Sequence, residues 1–288
     1  MLIAASLDRG ALALIELALA EDIGSGDVTT LASVPAERMA TGRVLIKQAG
    51  VLSGLATVRA VYERVDPRIV VTCLLPDGGA VSPGDVAATV AGPARGLLSG
   101  ERVALNFLQR LSGVATITAQ YVAAVAGTRA RIIDTRKTTP GMRALQKAAI
   151  RDGGGHNHRM GLADGVLIKD NHLAAIGGPQ RIALAIAAAR AYAPHTLKIE
   201  VEVTSLDELE QALQAGADVV LLDNMDIPTM AEAVRRAAGR ALLEASGGVT
   251  LDSVRAVAET GVHLISVGAL THSAPALDVS LEIDVQDA

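Results

Sequence analysis

Six short apolar runs recur through the second half of this chain. They are ARIID (130–134), GVLIK (165–169), LKIEVEV (197–203), DVVLLD (218–223), ALLEA (241–245) and HLISVG (263–268). Between most of them lies an Ala/Leu-rich segment with helical character. One of these opens with Ser205-Leu206-Asp207-Glu208, the pattern of a capping box. Apolar strands alternating with helices specify parallel β-structure covered on both faces. A complete eight-unit barrel takes about 250 residues, whereas the repeats occupy roughly 140. The expectation is therefore a shortened α/β barrel preceded by an α+β domain.

The first half reads differently. Residues 1–20 have the spacing of an amphipathic helix, and EDIGSGDVTT (21–30) reads as a loop. Residues 41–92 read as strands and turns, with GRVLIKQAGVLSG (42–54) as a hairpin-like piece. Residues 97–126 have helical apolar spacing and no proline. With one Phe, three Tyr and no Trp, the core must be aliphatic. That composition argues against nucleic-acid binding, which needs stacking rings or a broad basic face. Cys73 is the single cysteine, so no internal disulfide forms, and a reducing, cytoplasmic location is expected. The opening stretch lacks the basic start of a signal peptide and is interrupted by Asp8, Arg9 and Glu16. No apolar run approaches the roughly 18 residues of a membrane span.

Parallel α/β folds bind ligands beyond the carboxyl ends of their strands, so the residues at and just after the end of each run matter most. ARIID leads to Thr135, Arg136 and Lys137, and GVLIK ends in Lys169. LKIEVEV carries Glu200 and Glu202, DVVLLD ends in Asp223, and ALLEA leads through Glu244 to Ser246-Gly247-Gly248. HLISVG leads to Gly268 and His272. Any one of these ends reads as a solvated loop, but six together read as a site. Charge is focused here too. From Arg129 to Lys169 nine Lys/Arg stand against three Asp, in a chain of net charge −5. A positive cleft on a negative protein points to a small anionic ligand. Arg143, Lys147 and Arg151, four apart on a predicted helix, are equally well read as a solvated face. Arg136, Lys137, Arg159 and Lys169 adjoin strand ends or the glycine loop, and are the better candidates.

GGG (153–155) is expected to bring backbone amides near a ligand, and His158 to donate a hydrogen bond to an anion. Zinc is not expected, since His156 and His158 have no partner ligands at suitable spacing. Glu202 and Asp223 are suited to magnesium or to supporting a developing cation. The glycine turns at 246–248 and 268–269 are suited to a phosphate. Phosphate-loop, dinucleotide-fingerprint and hydrolase-elbow motifs are absent. The site thus has a basic lobe for a polycarboxylate and an acidic, glycine-rich lobe for a phosphorylated partner. No nucleophile stands out, which fits sugar transfer driven by positioning and charge stabilisation.

The motifs LAEDIGSGDVTT (19–30), ERVALNFLQRLSGVAT (101–116), DTRKTTPGMRALQKAA (134–149), GGGHNHRMGL (153–162), IKDNH (168–172), EASGG (244–248) and SVGALTHS (266–273) resemble those of the quinolinate phosphoribosyltransferase family, across almost the whole chain. His263 stands where that pattern more often has an acid. The resemblance implies an incomplete, six- to seven-stranded open α/β barrel over 113–274, with an N-terminal α+β sandwich-like domain over 1–112 completed by 275–288. It implies transfer of phosphoribosyl from phosphoribosyl pyrophosphate to quinolinate with decarboxylation, using Mg²⁺, by a homodimer or a hexamer. It implies quinolinate binding by Arg102 from the neighbouring subunit and by Arg136, Lys137, His158, Arg159 and Lys169. Glu202, Asp223, Ser246, Gly247, Gly248, Gly268 and His272 would hold phosphoribosyl pyrophosphate, with Glu202 and Asp223 as metal ligands. Lys137, Lys169, Glu202 and Asp223 would be catalytic. The rivals are the related family found with molybdate-transport genes, a barrel aldolase using Lys169 as a Schiff base, and a carrier domain suggested by LLPDGGAVSPGDVAATV (74–90). That last stretch lacks a carrier lysine at its turn.

Overall fold

The structure is a computed structural model that describes residues 7–285. Contacts divide the chain into two compact units. The first runs through Ala119 and also takes Thr138–Gly154 and everything from Leu270. The second comprises Gln120–Lys137 and Gly155–Ala269. The helical segment around 143–152, expected inside the barrel region, therefore clusters with the first unit.

In the first unit, α1 (Arg9–Ile23) starts where the Asp8 carboxylate accepts the Ala11 amide at 2.7 Å. Among the described residues the expected helix over 1–20 runs from Arg9 past Ala20, and residues 1–6 of that expectation lie outside the described chain. α2 (Val28–Ser33) occupies the end of the expected loop, capped by Asp27. A four-stranded antiparallel sheet follows, in the order β12 (Val279–Val285), β1 (Met39–Ile46), β5 (Val86–Pro93), β3 (Val70–Cys73). β12 pairs along β1 from Ile46↔Val279 to Ala40↔Val285. The expected hairpin over 42–54 does not form. Its second arm, β2 (Gly50–Val51), pairs with β4 (Ala80–Val81) instead. α3 (Leu55–Val65) is a helix where strands and turns were expected. Its Val residues favour strands locally, but Leu55, Val58, Val61 and Tyr62 fall on one buried helical face, and packing overrides propensity. The long α4 (Ala94–Ala124) agrees with its apolar spacing.

α5 (Arg143–Asp152) also belongs to this unit and corrects the reading of its cations. Lys147 is fully buried, Arg143 half-buried and Arg151 exposed, so the stripe runs from solvent into the interior. Gly153 ends the helix with its amide on Ala149. A Cβ there would meet the Ala115 carbonyl oxygen at 2.4 Å, so this glycine is required by helix packing rather than by a ligand.

The second unit holds six parallel strands: β6 (Arg131–Ile133), β7 (Val166–Ile168), β8 (Ile199–Val203), β9 (Val219–Asp223), β10 (Leu242–Ser246) and β11 (Leu264–Ser266). All six apolar runs are strands. Their order is β6-β11-β10-β9-β8-β7, so the sheet curls in barrel order with an open seam between β6 and β7. The segment after Gly155 partly fills the seam, since His156 pairs in parallel with Ile133. Helices α6 (Asp170–Ile176), α7 (Arg181–Tyr192), α8 (Leu206–Gln214), α9 (Ile227–Ala237) and α10 (Leu251–Glu259) connect the strands. A final short turn, α11 (Ala269–His272), leads back to the first unit. At α8 the Ser205 hydroxyl accepts the Glu208 amide, while the Glu208 carboxylate turns back to Thr204 rather than to Ser205. The capping pattern is therefore displaced by one residue.

The strands alternate more strictly than their apolar runs suggest. Ile132, Val201, Val203, Val220, Leu222, Leu243, Ala245 and Ile265 are almost fully buried on one face. The opposite face carries Glu200, Glu202, Asp223, Glu244, Ser246 and Ser266, aligned by register from strand to strand. A complete barrel fills its interior with aliphatic layers. This one leaves a cavity of about 470 Å³, lined among others by Ile133, His158, Arg159, Glu200, Glu244 and Leu264.

Candidate active site

Chain direction gathers most of the expected residues at one rim of the barrel unit. Arg136 and Lys137 follow β6, Lys169 follows β7, Glu202 and Asp223 lie on β8 and β9, and Ser246, Gly247, Gly248 and Gly268 follow or end β10 and β11. Arg102 and His272 lie in the first unit. Arg102 is an exposed residue of α4, and His272 ends α11 with Nδ1 at 2.6 Å from the Ser273 hydroxyl.

The basic lobe is held from behind by a buried acid. Asp134 ends the β6 run with no exposed surface. Its carboxylate accepts the His158 amide at 2.8 Å and the Asn157 side-chain amide at 2.8 Å. It thereby ties the loop carrying Arg136 and Lys137 to the loop carrying His158 and Arg159. Arg136 and Arg159 are close enough to feel each other. Burial first, then the Arg136 charge, lower the Arg159 guanidinium's affinity for its proton. Two cations held this near each other make a receptor for an anion. Arg159 also donates to the Gly165 carbonyl at 3.0 Å.

His158 does not stand ready as the anion donor that was expected. Its Nδ1 accepts the Arg159 amide at 2.6 Å, and its Nε2 lies 3.2 Å from Glu200 Oε2 inside the barrel. Both ring nitrogens are engaged by the protein itself. Among the described residues His158, Glu200 and Glu244 form a group that geometry alone would allow to hold a metal, a cluster that spacing in the sequence did not suggest.

Lys169 pairs with Glu202 at 3.0 Å, with 45% of the lysine side chain exposed and 10% of the glutamate's. A Schiff-base lysine is instead desolvated in an apolar pocket or set against other cations, so the pairing argues against the aldolase rival. In the acidic lobe, Asp223 accepts from the Asn224 amide group at 2.9 Å. Asn224 adopts a left-handed conformation (φ 52°), and its backbone amide donates to the Ser246 carbonyl at 2.9 Å. That clamp joins β9 to β10. It leaves no room at Gly247, where φ is +96° and a Cβ would meet Asn224 Oδ1 at 2.2 Å. Glu202 and Asp223 share the interior face, which brings two hard carboxylates to adjacent strand ends.

An open α/β barrel with cationic arms, paired acids and glycine turns at the carboxyl ends of its strands defines a class: enzymes acting on small anionic molecules. The comparisons narrow the class. The quinolinate phosphoribosyl transferase C-terminal domain matches residues 114–282, and the N-terminal domain of the same family matches 27–112. The nicotinate-nucleotide pyrophosphorylase (carboxylating) of Mycobacterium leprae is 45% identical over 275 residues, 93% of this chain and 95% of its own. The probable nicotinate-nucleotide pyrophosphorylase (carboxylating) of Bacillus subtilis is 43% identical over 267 residues, 93% of this chain and 91% of its own. The solved nicotinate-nucleotide pyrophosphorylase of Francisella tularensis superposes with a TM-score of 0.91 at 38% identity, over 98% of this chain and 99% of that one. The chain belongs to the quinolinate phosphoribosyltransferase family.

Proposed function

We propose that the protein transfers the phosphoribosyl group of phosphoribosyl pyrophosphate to quinolinate. Nicotinate mononucleotide, pyrophosphate and CO₂ are the products, a step of de novo NAD biosynthesis. The observation that carries this reading is a single barrel rim that joins a two-arginine basic arm to paired carboxylates and glycine turns. Relatives above 40% identity over most of both chains bear names of this activity.

Arg136, Lys137 and Arg159 grip the two carboxylates of quinolinate, and Lys169 completes the positive wall. Held so, the ring nitrogen faces C1 of the sugar. The C1–oxygen bond breaks with its electron pair leaving on pyrophosphate, and the ring nitrogen forms the new bond to C1. Glu202 and Asp223 stabilise the cationic sugar between those events. The 2-carboxylate then departs as CO₂. Its bonding pair stays on the ring carbon beside the positive nitrogen until a proton replaces it. Ser246, Gly247, Gly248 and Gly268 present backbone to the phosphates, with His272 nearby in chain order.

Glu202 and Asp223 also fit magnesium, which prefers hard oxygen donors and completes its shell with phosphate and water. Glu202 and Asp223 would hold the ion, which would supply positive charge against the leaving group. The working form in this reading is a cytoplasmic homodimer, or a hexamer built from such dimers, in which Arg102 reaches the neighbour's rim. The exposure of its side chain on α4, with no side-chain hydrogen bond or ion pair among the described residues, supports that role. No described helix is long and apolar enough to cross a membrane.

The test is to incubate the purified protein with quinolinate, phosphoribosyl pyrophosphate and Mg²⁺ and to measure nicotinate mononucleotide and CO₂. Nicotinate is run in parallel as the one-carboxylate control. Product from quinolinate alone is the expected result, and its absence overturns the reading. Sedimentation of the same sample tests the dimer.

A further inference from the structure

Among the described residues only Asn224 and Ala238 take a positive φ without being glycine. Ala238 ends α9, a place where many helices turn left-handed. Asn224 stands one residue beyond Asp223, the last residue of β9, with φ 52°. Glycine adopts that conformation at no steric cost, and asparagine is one of the few side chains that tolerate it. A side chain kept at such a position has something to hold.

The contacts of Asn224 lie within the barrel unit and bear on both halves of the acidic lobe. Its side-chain Nδ2 donates to Asp223 Oδ2 at 2.9 Å. Its backbone amide donates to the Ser246 carbonyl at 2.9 Å, one step past the Asp223↔Ser246 pair that closes the β9–β10 ladder. Its Oδ1 lies 2.2 Å from where a Cβ on Gly247 would stand, whereas a Cβ on Gly248 would meet nothing within 4 Å. The bare α-carbon of Gly247 is thus the seat of the Asn224 side chain. Glycine is required there as much by that seat as by its own φ of +96°.

The seating decides what Asp223 offers. Oδ2 accepts from Asn224, while Oδ1 receives no hydrogen bond among the described residues. Magnesium takes one or two carboxylates and fills its shell with phosphate and water, so a carboxylate anchored by one oxygen suits it. Ligating carboxylates are commonly held in this way by an outer partner. We propose that Asn224 is a positioning residue for both halves of the acidic lobe. It anchors Asp223 by one oxygen, leaving the other for the ion, and it packs the turn at Gly247 into one shape. The inference rests on the reading of Asp223 as a metal ligand and of Gly247 as part of the phosphate turn. The alternative is a residue that only makes the turn, a task glycine performs equally well.

Three measurements on the full-length protein separate the two. The first uses the preformed Mn²⁺–pyrophosphate complex as probe, followed by water-proton relaxation. The wild type is expected to bind it, and Asn224→Gly to bind it about tenfold more weakly, the loss typical of removing an outer partner, with a melting temperature near that of the wild type. The second is a double-mutant cycle in denaturant unfolding. Gly247→Ala is expected to destabilise Asn224→Gly less than it destabilises the wild type, because the seat is then empty. The third is steady-state kinetics, where kcat/KM for phosphoribosyl pyrophosphate is expected to fall about tenfold in Asn224→Gly while the quinolinate KM stays unmoved. An Asn224→Gly protein with wild-type affinity for the probe, or unfolding costs that simply add, overturns the proposal. A wild type that does not bind the probe overturns it together with the metal reading. The first two readouts use neither substrate. The expected affinity loss and coupling in a protein that makes no nicotinate mononucleotide would refute the substrate reading and leave the role of Asn224 standing.

Discussion

On the seam side of the barrel, the cations proposed to hold quinolinate stand on irregular chain. Arg136 and Lys137 follow a three-residue strand, Arg159 sits in the loop that fills the seam, and what fixes them is a buried acid, Asp134, bridging both loops. Across the sheet the charges are residues of the strands themselves. Glu202, Asp223 and Ser246 are placed by the ladder, with Asp223 opposite Ser246 in register. A ladder fixes position to a fraction of an ångström at every residue, whereas a loop is only as fixed as its tether. The basic lobe can therefore be weakened in two distinct ways, at the contact or at the tether, while the acidic lobe can be weakened only at the contact or at the turn beyond it.

The largest effect is expected from removing contacts in the basic lobe. Arg136→Ala with Lys137→Ala removes two charge-assisted contacts of about 1.5–3 kcal/mol each. Quinolinate affinity should fall by at least about a hundredfold with little change for phosphoribosyl pyrophosphate. Equal losses for both substrates would merge the two lobes into one. On the other side, Asp223→Ala should lower kcat by about a hundredfold, as loss of one electrostatic stabiliser does, while calorimetry still detects quinolinate binding. Cutting the tether comes next. Asp134→Ala strands two half-buried donors, at a cost of about 1–3 kcal/mol in denaturant unfolding, and should weaken quinolinate binding without touching a substrate-facing group. Gly247→Ala forces a side chain into a left-handed turn against Asn224, at about 1–2 kcal/mol, and should affect only phosphoribosyl pyrophosphate.

The smallest effect concerns pH. The Glu244 carboxyl is raised above its ordinary 4.5 by burial and by Glu200. Its protonated form contributes stability fully present below the unfolded value and lost as pH rises through the folded one. Glu244→Gln removes that loss. The melting temperature of the wild type should therefore fall relative to the variant as pH goes from acidic to alkaline, and the reverse trend would contradict the assignment.

Much of this was readable from the chain. The six apolar runs became the six barrel strands because hydrophobic strands alternating with helices admit few other packings. The strand-end rule singled out Arg136, Lys137, Lys169, Glu202, Asp223 and the glycine turns, and the structure places them at the carboxyl ends of the strands. What stayed hidden was anything set by a third element. The alternation in IEVEV says that Glu200 and Glu202 share a face. It does not say that Glu244 from two strands away arrives beside Glu200, nor that His158 turns inward to meet both. α3 was missed because its valines read as strand until a buried face was there to receive them. The reading of Lys147 stayed open between site and solvated face because helical spacing cannot show which side of α5 is covered.

The most direct measurement compares quinolinate with nicotinate by calorimetric titration, in the wild type and in Arg136→Ala with Lys137→Ala. If the basic lobe exists to hold two carboxylates, the wild type binds quinolinate far more tightly than nicotinate and the double variant loses most of that preference. A wild type that binds both acids alike, or a preference that survives the double substitution, would contradict the account.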